Sequence, residues 1–329
     1  MMGSLNELGE FGLIHLLTQN LQSSKELVLG VGDDCAVIHA SKEYFLISCD
    51  AFIEDVHFRK CWARAEDIGY KAAAAALSDI AAMGGVAKYM LITLACPGNT
   101  ETYYLECLYD GIREVCDPEG ISIIGGDTTS SPHSLVLNMV VIGSSAIRPV
   151  YRSGAQPGDV VIVTGHPGSA ALGLHALEQG QREEAEGLVR SQLRPRPRLR
   201  EGAYLAGTNK THSMIDISDG ILQDLSHIAT RSGVSIAVDT TRLPLSDDQK
   251  HYAHRSGVSA QAAALSGGED YELAFTVSAD YAEALLYNFS YYFTTQLTII
   301  GEVRPGPASI IVDGKAHAAE GFDHFHGLK

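Results

Sequence analysis

Apolar positions along this chain fall into short runs that end, again and again, on glycine beside an acid. Near the start, Phe11, Ile14, His15 and Leu17 bunch on one side of a helical projection, which predicts a short amphipathic helix over 10–17. Compact apolar runs predict strands at 36–39, 44–50, 87–95, 121–124 and 135–142, with 53–58 a loop or short strand. The strongest helix signal is 64–83, which is rich in alanine, has Glu66 and Asp67 in its first turn and stops at Gly84-Gly85. Its alanines would let it lie close against a sheet, where Asp79 is costly unless it meets a partner. A further helix is expected at about 100–117.

Proline, glycine and charge mingle over 148–159, so the chain is expected to divide there into domains 1–148 and 149–329. The second half restarts with a strand at 160–164, a turn at Gly165 and Gly168, and a helix from Ser169. Residues 194–198 (Arg-Pro-Arg-Pro-Arg) read as an extended basic loop, since each proline turns its predecessor away from helix. Residues 216–220 open another helix, 236–238 form a strand, and a glycine turn from Ser266 leads into a strand at 273–277. A last strand pair near 297–303 and 309–312 precedes an aromatic tail. The fold class is α/β with mixed, α+β-like sheets, and the two halves loosely share an order of strand, glycine-acid turn and helix.

The glycine-acid breaks carry the chemistry. They are Gly30-Val31-Gly32-Asp33-Asp34, Asp50 at the end of its strand, Leu77-Ser78-Asp79, Gly125-Gly126-Asp127 and Asp216-Ile217-Ser218-Asp219-Gly220. One such turn alone is usually only a turn. Five of them are hard to explain as unrelated turns, and converging carboxylates would repel one another unless hard cations such as Mg²⁺ joined them. Segment 216–220 also offers a helix N-terminus to a phosphate, or a side-chain cap by Ser218 or Asp219. Arg152, in the interdomain loop, could clamp a polyphosphate, and His57 could bond a phosphate or pack on Phe58. The terminal pair His324 and His326 is discounted as a metal site.

The formal charge of −16 makes nucleic acid an unfavourable partner, and an anionic ligand would need cations in between. All six cysteines lie in the first 116 residues without Cys-x-x-Cys spacing, against zinc or a disulfide scaffold. P-loop, Gly-x-Gly-x-x-Gly, His-Glu-x-x-His and Gly-x-Ser-x-Gly motifs are missing. The longest weakly polar stretch, 72–85, is too short to span a bilayer and no signal peptide is visible, so a cytoplasmic protein is expected.

Eight motifs in order make the chain resemble the thiamine-monophosphate kinase family. They are Gly-x-Gly-Asp-Asp-Cys-Ala (30–36), the Asp50 to His57-Phe58 segment, Leu-Ser-Asp-Ile-Ala-Ala-Met-Gly (77–84), Gly-Gly-Asp-Thr-Thr (125–129), Arg-Ser-Gly-Ala-x-Pro-Gly-Asp (152–159), Arg-Pro-x-Pro-Arg (194–198), Asp-Ile-Ser-Asp-Gly (216–220) and Ser-Gly-Gly-Glu-Asp-Tyr-Glu-Leu (266–273). The resemblance implies the fold of aminoimidazole ribonucleotide synthetase, a homodimer formed through the N-terminal sheet, ATP in the interdomain cleft, and conversion of thiamine monophosphate to thiamine diphosphate.

Position by position, the resemblance implies that Asp34, Asp50, Asp79, Asp127, Asp216 and Asp219 hold several Mg²⁺ ions, with Ser48 and Cys49 helping through main-chain oxygens. Tyr109, Gly126, Asp127, Arg152 and Ser218 would contact ATP. His57, Glu269 or Asp270, and Phe322 would contact the acceptor. Cys49 stands where the family usually has Thr. No general base is expected, because the acceptor is already a phosphate monoester. A sister ATP-dependent synthetase of the same fold and a non-catalytic nucleotide-binding regulator are the competing readings. Residues 1–11 lack the reactive Cys or Sec with a nearby Lys that selenophosphate synthetase would need, and a regulator has no use for so full an acid set.

Overall fold

The computed structural model describes residues 5–19, 21, 24–40, 42–317, 322–323 and 327–328. Its first half builds a six-stranded sheet from β1 (Leu27–Leu29), β2 (Ala36–Ala40), β3 (Glu43–Ile53), β4 (Val86–Cys96), β5 (Ser122–Ser130) and β6 (Val136–Ser145), in the order β1-β2-β3-β6-β4-β5. All its pairings are antiparallel except β4 with β5. Helices α1 (Leu5–Thr18), α2 (Ala65–Ala82) and α3 (Thr102–Cys116) belong to this half.

The second half holds a seven-stranded sheet of β7 (Asp159–Thr164), β8 (Thr211–Ile217), β9 (Ser235–Val238), β10 (Glu272–Ser278), β11 (Leu297–Arg304), β12 (Ser309–Val312) and β13 (Lys315–His317), in the order β13-β12-β9-β11-β7-β10-β8. Around it lie α4 (Ser169–Glu178), α5 (Glu186–Leu193), α6 (Leu199–Gly207), α7 (Ile221–Ser232), α8 (Asp247–Ser256), α9 (Ala260–Ser266) and α10 (Ala279–Tyr292). Of these, α5, α6, α8, α9 and α10 are absent from the sequence expectation.

Helix α2 joins the halves. Asp67 accepts from the Arg64 backbone amide at its start, and Gly84 leaves its end at a φ of +67°. Because alanines cover most of its surface, α2 is buried on nearly every side, packed against β3 and β6 of one sheet and β8 of the other. One apolar core therefore runs through both halves, from Val37 and Leu46 through Leu77 and Ile80 to Met214 and Phe275. A second core, around α7, lies within the C-terminal half.

Two expectations are corrected. Asp50 lies inside β3 rather than at a strand end, because β3 keeps pairing with β6 as far as Ile53 opposite Val136. Residues 125–129 are strand and not turn: Gly125 and Gly126 take φ values of +151° and +152°, and β5 runs on beside β4 to Ser130.

Helices α2 and α3 touch through a pair of glycines. A Cβ on Gly69 would sit 1.9 Å from the Leu108 carbonyl oxygen, and one on Gly111 would sit 1.9 Å from that of Glu66. Alanine gains about 1 kcal/mol in intrinsic helix propensity over glycine. The clash with backbone outweighs that, so Gly111→Ala is expected to destabilise the protein by about 1–3 kcal/mol in denaturant titration. A variant as stable as the parent would show that the two helices are free to move apart.

Candidate active site

Between the two sheets lies a cleft of about 1420 Å³. Ordinary ligand pockets measure roughly 300–1,000 Å³, so this one has room for two ligands side by side. Carboxylates crowd one end: Asp33, Asp34, Asp50, Asp79, Asp216, Asp219 and Asp224 all line it. Oxygens of Asp34, Asp79 and Asp216 lie within 4.8 Å of one another.

Each acid arrives from a different element. Asp34 ends the glycine loop ahead of β2, Asp79 faces inward from α2, and Asp216 stands near the end of β8. Strand alternation puts Ser48 and Asp50 on the α2 face of β3, where the Ser48 hydroxyl donates to Asp79. The Cys49 side chain points to the opposite face, where its thiol meets Asn138 Oδ1 at 3.4 Å, so the family's Thr position is filled by a group turned away from the acids. Ser78 donates to Asp216 Oδ2 at 2.7 Å.

Burial and mutual repulsion set the protonation of the cluster. Burial first, then the Asp34 charge, raises Asp216 to about 8 and Asp50 to about 6. The same two causes raise Asp33 to about 7. Asp79 is driven well above the carboxylate range by burial and by Asp50, Asp216 and Asp34. Arg152 opposes this: its Nη2 donates to Asp34 Oδ1 at 2.7 Å, and its backbone amide donates to Asp33. Among the described residues, Asp34 Oδ2 and Arg152 Nε are buried and have no hydrogen-bond partner. A spare carboxylate oxygen and a spare guanidinium donor thus belong to residues that line a cleft of hard oxygen ligands, a donor set that suits Mg²⁺ and phosphate.

The helix N-terminus after 216–220 lacks the side-chain cap expected of Ser218 or Asp219, and its cap is Gly220. Instead Asp224, one turn into α7, accepts from the amides of Asp219 and Gly220 at 3.2 and 3.0 Å. Sequence reading missed Asp224, although an acid among Ile221, Leu222 and Leu225 gives the same signal that drew attention to Asp79. It also missed His227, which lines the cleft and which burial and Arg152 lower to about 4.

Ser218 and His57 line the cleft as expected. The Ile53 amide donates to His57 Nδ1 at 3.1 Å, which leaves the neutral ring's proton on Nε2. Of the alternatives Glu269 and Asp270, only Glu269 lines the cleft; the Asp270 carboxylate accepts from the amides of Gly168 and Ala170 at 2.6 and 2.9 Å and anchors the start of α4. Tyr109 on α3, Gly126 and Asp127 do not line the cleft of this chain. Asp127 lies exposed on the outer strand β5, where its carboxylate accepts from the Thr128 amide. The side chain of Phe322 lies outside the described residues. In the basic loop 194–198, Arg198 is paired with Glu272 and Arg194 with Asp67 and Glu114, while Arg196 between them is exposed.

Two mixed sheets closing on an acid-lined cleft describe the AIR synthase related proteins. Family models match both halves, "AIR synthase related protein, N-terminal domain" over residues 32–145 and "AIR synthase related protein, C-terminal domain" over 156–314. The chain is 35% identical to thiamine-monophosphate kinase of Aquifex aeolicus over 98% of its length and 99% of the relative's. It is 36% identical to that of Bacillus subtilis, covering 96% and 99%. The solved structure of AaThiL complexed with AMPPCP and TMP superposes with a TM-score of 0.88 at 34% identity, covering 98% and 99% of the two chains. The chain belongs to the thiamine-monophosphate kinase family.

The acid cluster makes stability depend on pH. Asp33, Asp50 and Asp216 titrate at about 7, 6 and 8 in the folded protein. Unfolded, each would titrate near about 3.9, so the folded state holds these protons more tightly. Their contribution to stability is present at low pH and is lost as pH rises through the folded values. The Tm of the cation-free protein should therefore fall between pH 5 and pH 8, and Asp216→Asn should flatten that slope. An unchanged slope in the variant would remove Asp216 from the cluster's titration.

Proposed function

We propose that this chain transfers the γ-phosphoryl group of ATP directly to the phosphate of thiamine monophosphate, giving ADP and thiamine diphosphate. The observation that carries the reading is the convergence of Asp34, Asp79 and Asp216 beside Arg152 at one end of a cleft sized for two ligands. A bond forms between an acceptor phosphate oxygen and the γ-phosphorus, and the bridge to the β-phosphate breaks. No proton has to move, because the acceptor's second pKa is about 6 and it is mostly dianionic at neutral pH. The site's task is to position two polyanions and neutralise their charge.

Asp34, Asp79 and Asp216, with Asp50, Asp219 and the main chain at Ser48 and Cys49 beside them, would hold the Mg²⁺ ions. Bound there, the ions would offset the negative charge of the phosphates. Arg152 is held in place by Asp33 and Asp34, and its unpartnered Nε is a donor for a phosphate oxygen. Ser218 adds an ATP contact. His57, whose Nε2 carries the proton, and Glu269 address the acceptor, with Phe322 a further proposed contact. A cytoplasmic setting, where ATP is made and used, completes this reading. No helix among the described residues is long and apolar enough to cross a membrane.

Asp127, Gly126 and Tyr109 belong to this reading only through a second copy of the chain. Strand β5, Ile124 included, is exposed along nearly its whole length, and apolar Val86 and Tyr89 are exposed on neighbouring β4. The sheet face opposite α2, carrying Ile47, Ala51, Val140 and Leu91, stays partly open. A homodimer through this sheet would cover the face and carry Asp127 of one copy to the cleft of the other.

Product analysis should find ADP and thiamine diphosphate formed from ATP and thiamine monophosphate, lost with excess chelator, and absent with free thiamine as acceptor. Turnover that survives chelation would rule out the cation-dependent mechanism. Asp79→Asn and Asp127→Asn should each lower kcat by about 10²-fold or more. If the cleft is shared, mixing the two inactive variants under conditions of subunit exchange should restore about a quarter of wild-type activity, because each mixed dimer keeps one intact site. No recovery despite demonstrated exchange would place Asp127 outside the partner's site.

A further inference from the structure

A smaller cavity of about 130 Å³ adjoins the cleft away from the aspartate cluster and shares His57, Gln192 and Glu269 with it. Phe58, Trp62 and Leu174 supply apolar walls. A cavity of about 150 Å³ in a hydrophobic core takes up benzene, so this volume suits one six-membered ring.

The polar side of the cavity is a fixed chain. Lys71, only 3% exposed on α2, pairs with Glu269 Oε1 at 2.8 Å. Gln192 on α5 donates from Nε2 to Glu269 Oε2 at 2.7 Å. Glu269 is itself held in a left-handed backbone conformation at a φ of +66°, with its amide donating to the Ser218 carbonyl at 2.7 Å. A carboxylate paired with an ammonium can only accept, so the Gln192 amide has to present its NH₂ to Glu269. Its oxygen is thereby turned elsewhere, and Gln192 Oε1 is buried with no donor among the described residues, on a side chain that is 4% exposed. An acceptor left bare in a cavity of this kind calls for an N–H on the ligand.

We propose that Gln192 reads the exocyclic amine of the acceptor's aminopyrimidine ring, with Lys71 and Glu269 as the positioning residues that fix the direction of its amide. This deepens the proposed kinase reading and rests on it. With the ring in this cavity, the acceptor's phosphate extends through the shared opening toward the carboxylates. Replacing the amine by a keto oxygen sets one acceptor against another and leaves Gln192 Oε1 unpaired.

The test compares thiamine monophosphate with its 4′-oxo analogue as acceptors for the full-length protein. Wild type should favour the amine by roughly 10²-fold or more in kcat/KM, as sites built to pair a polar group do. Gln192→Met, which keeps the side chain's length, should bring the two acceptors to within a few-fold of each other while the KM for ATP stays unchanged. Equal use of both acceptors by wild type would overturn the inference however the variant folds, and so would discrimination that persists in Gln192→Met. Turnover of thiamine monophosphate with equal rates for the analogue would sink this inference alone. No product from thiamine monophosphate would sink the functional reading and this inference with it.

Discussion

The constraint that governs this protein is the repulsion among carboxylates brought together where little water reaches them. Asp34, Asp79 and Asp216 meet from a loop, a helix and a strand, with Asp50 close by, and Arg152 is the cation that faces them. One guanidinium cannot neutralise four acids, and the upward shifts of Asp50, Asp79 and Asp216 record what is left over. The folded chain is therefore under electrostatic stress at neutral pH that the proposed cations would relieve, which would link stability and ligand binding through the same residues.

Such stress has to be resisted by packing, and α2 supplies it. Its alanines and Gly69 allow backbone to approach on several sides at once, so a single helix is held by both sheets and by α3. Asp79 and Lys71 project from it toward opposite ends of the cleft. Lys71 reaches Glu269 and Asp79 faces Asp216, both of the C-terminal half. Whatever fixes α2 fixes the distance between the acid end and the ring-sized cavity, the distance an acceptor must span.

Much of this was legible in the sequence, for reasons that differ by element. Helix α2 was plain because its composition, first-turn acids and glycine stop agree, and Asp79 stood out as a carboxylate on an otherwise apolar helix. Asp224 carries the same signature but sits in a shorter apolar stretch, and was passed over. Glycine so often marks a turn that 125–129 reads as one, whereas here a φ near +150°, which glycine permits, continues the strand. Asp50 reads as a strand end because a carboxylate interrupts the apolar run there, yet Ala51-Phe52-Ile53 follow and pairing with β6 carries β3 onward. Helices such as α5 and α6 flank the proline-rich loop and depend on tertiary contacts, so local pattern could not reveal them. Nor could any local signal place Asp127 on the open edge of the sheet.

Which acids can serve a ligand follows from where their lone pairs go. Asp270 is used up by the amides of Gly168 and Ala170 and Asp67 by Arg64 and Arg194, while Asp224 gives one oxygen, Oδ2, to the amides of Asp219 and Gly220. These carboxylates replace missing backbone partners or close ion pairs, and each would leave a buried donor stranded if removed. Asp34, Asp79 and Asp216 are served instead by one hydroxyl or one guanidinium apiece, and Asp34 keeps an oxygen bare. Sequence motifs group both kinds together, as in Glu269-Asp270 or 216–220, because both sit beside glycine at element ends. The count of satisfied oxygens tells Asp270, which holds the chain through both of them, from Asp34, whose spare oxygen is the one the proposed cation would take.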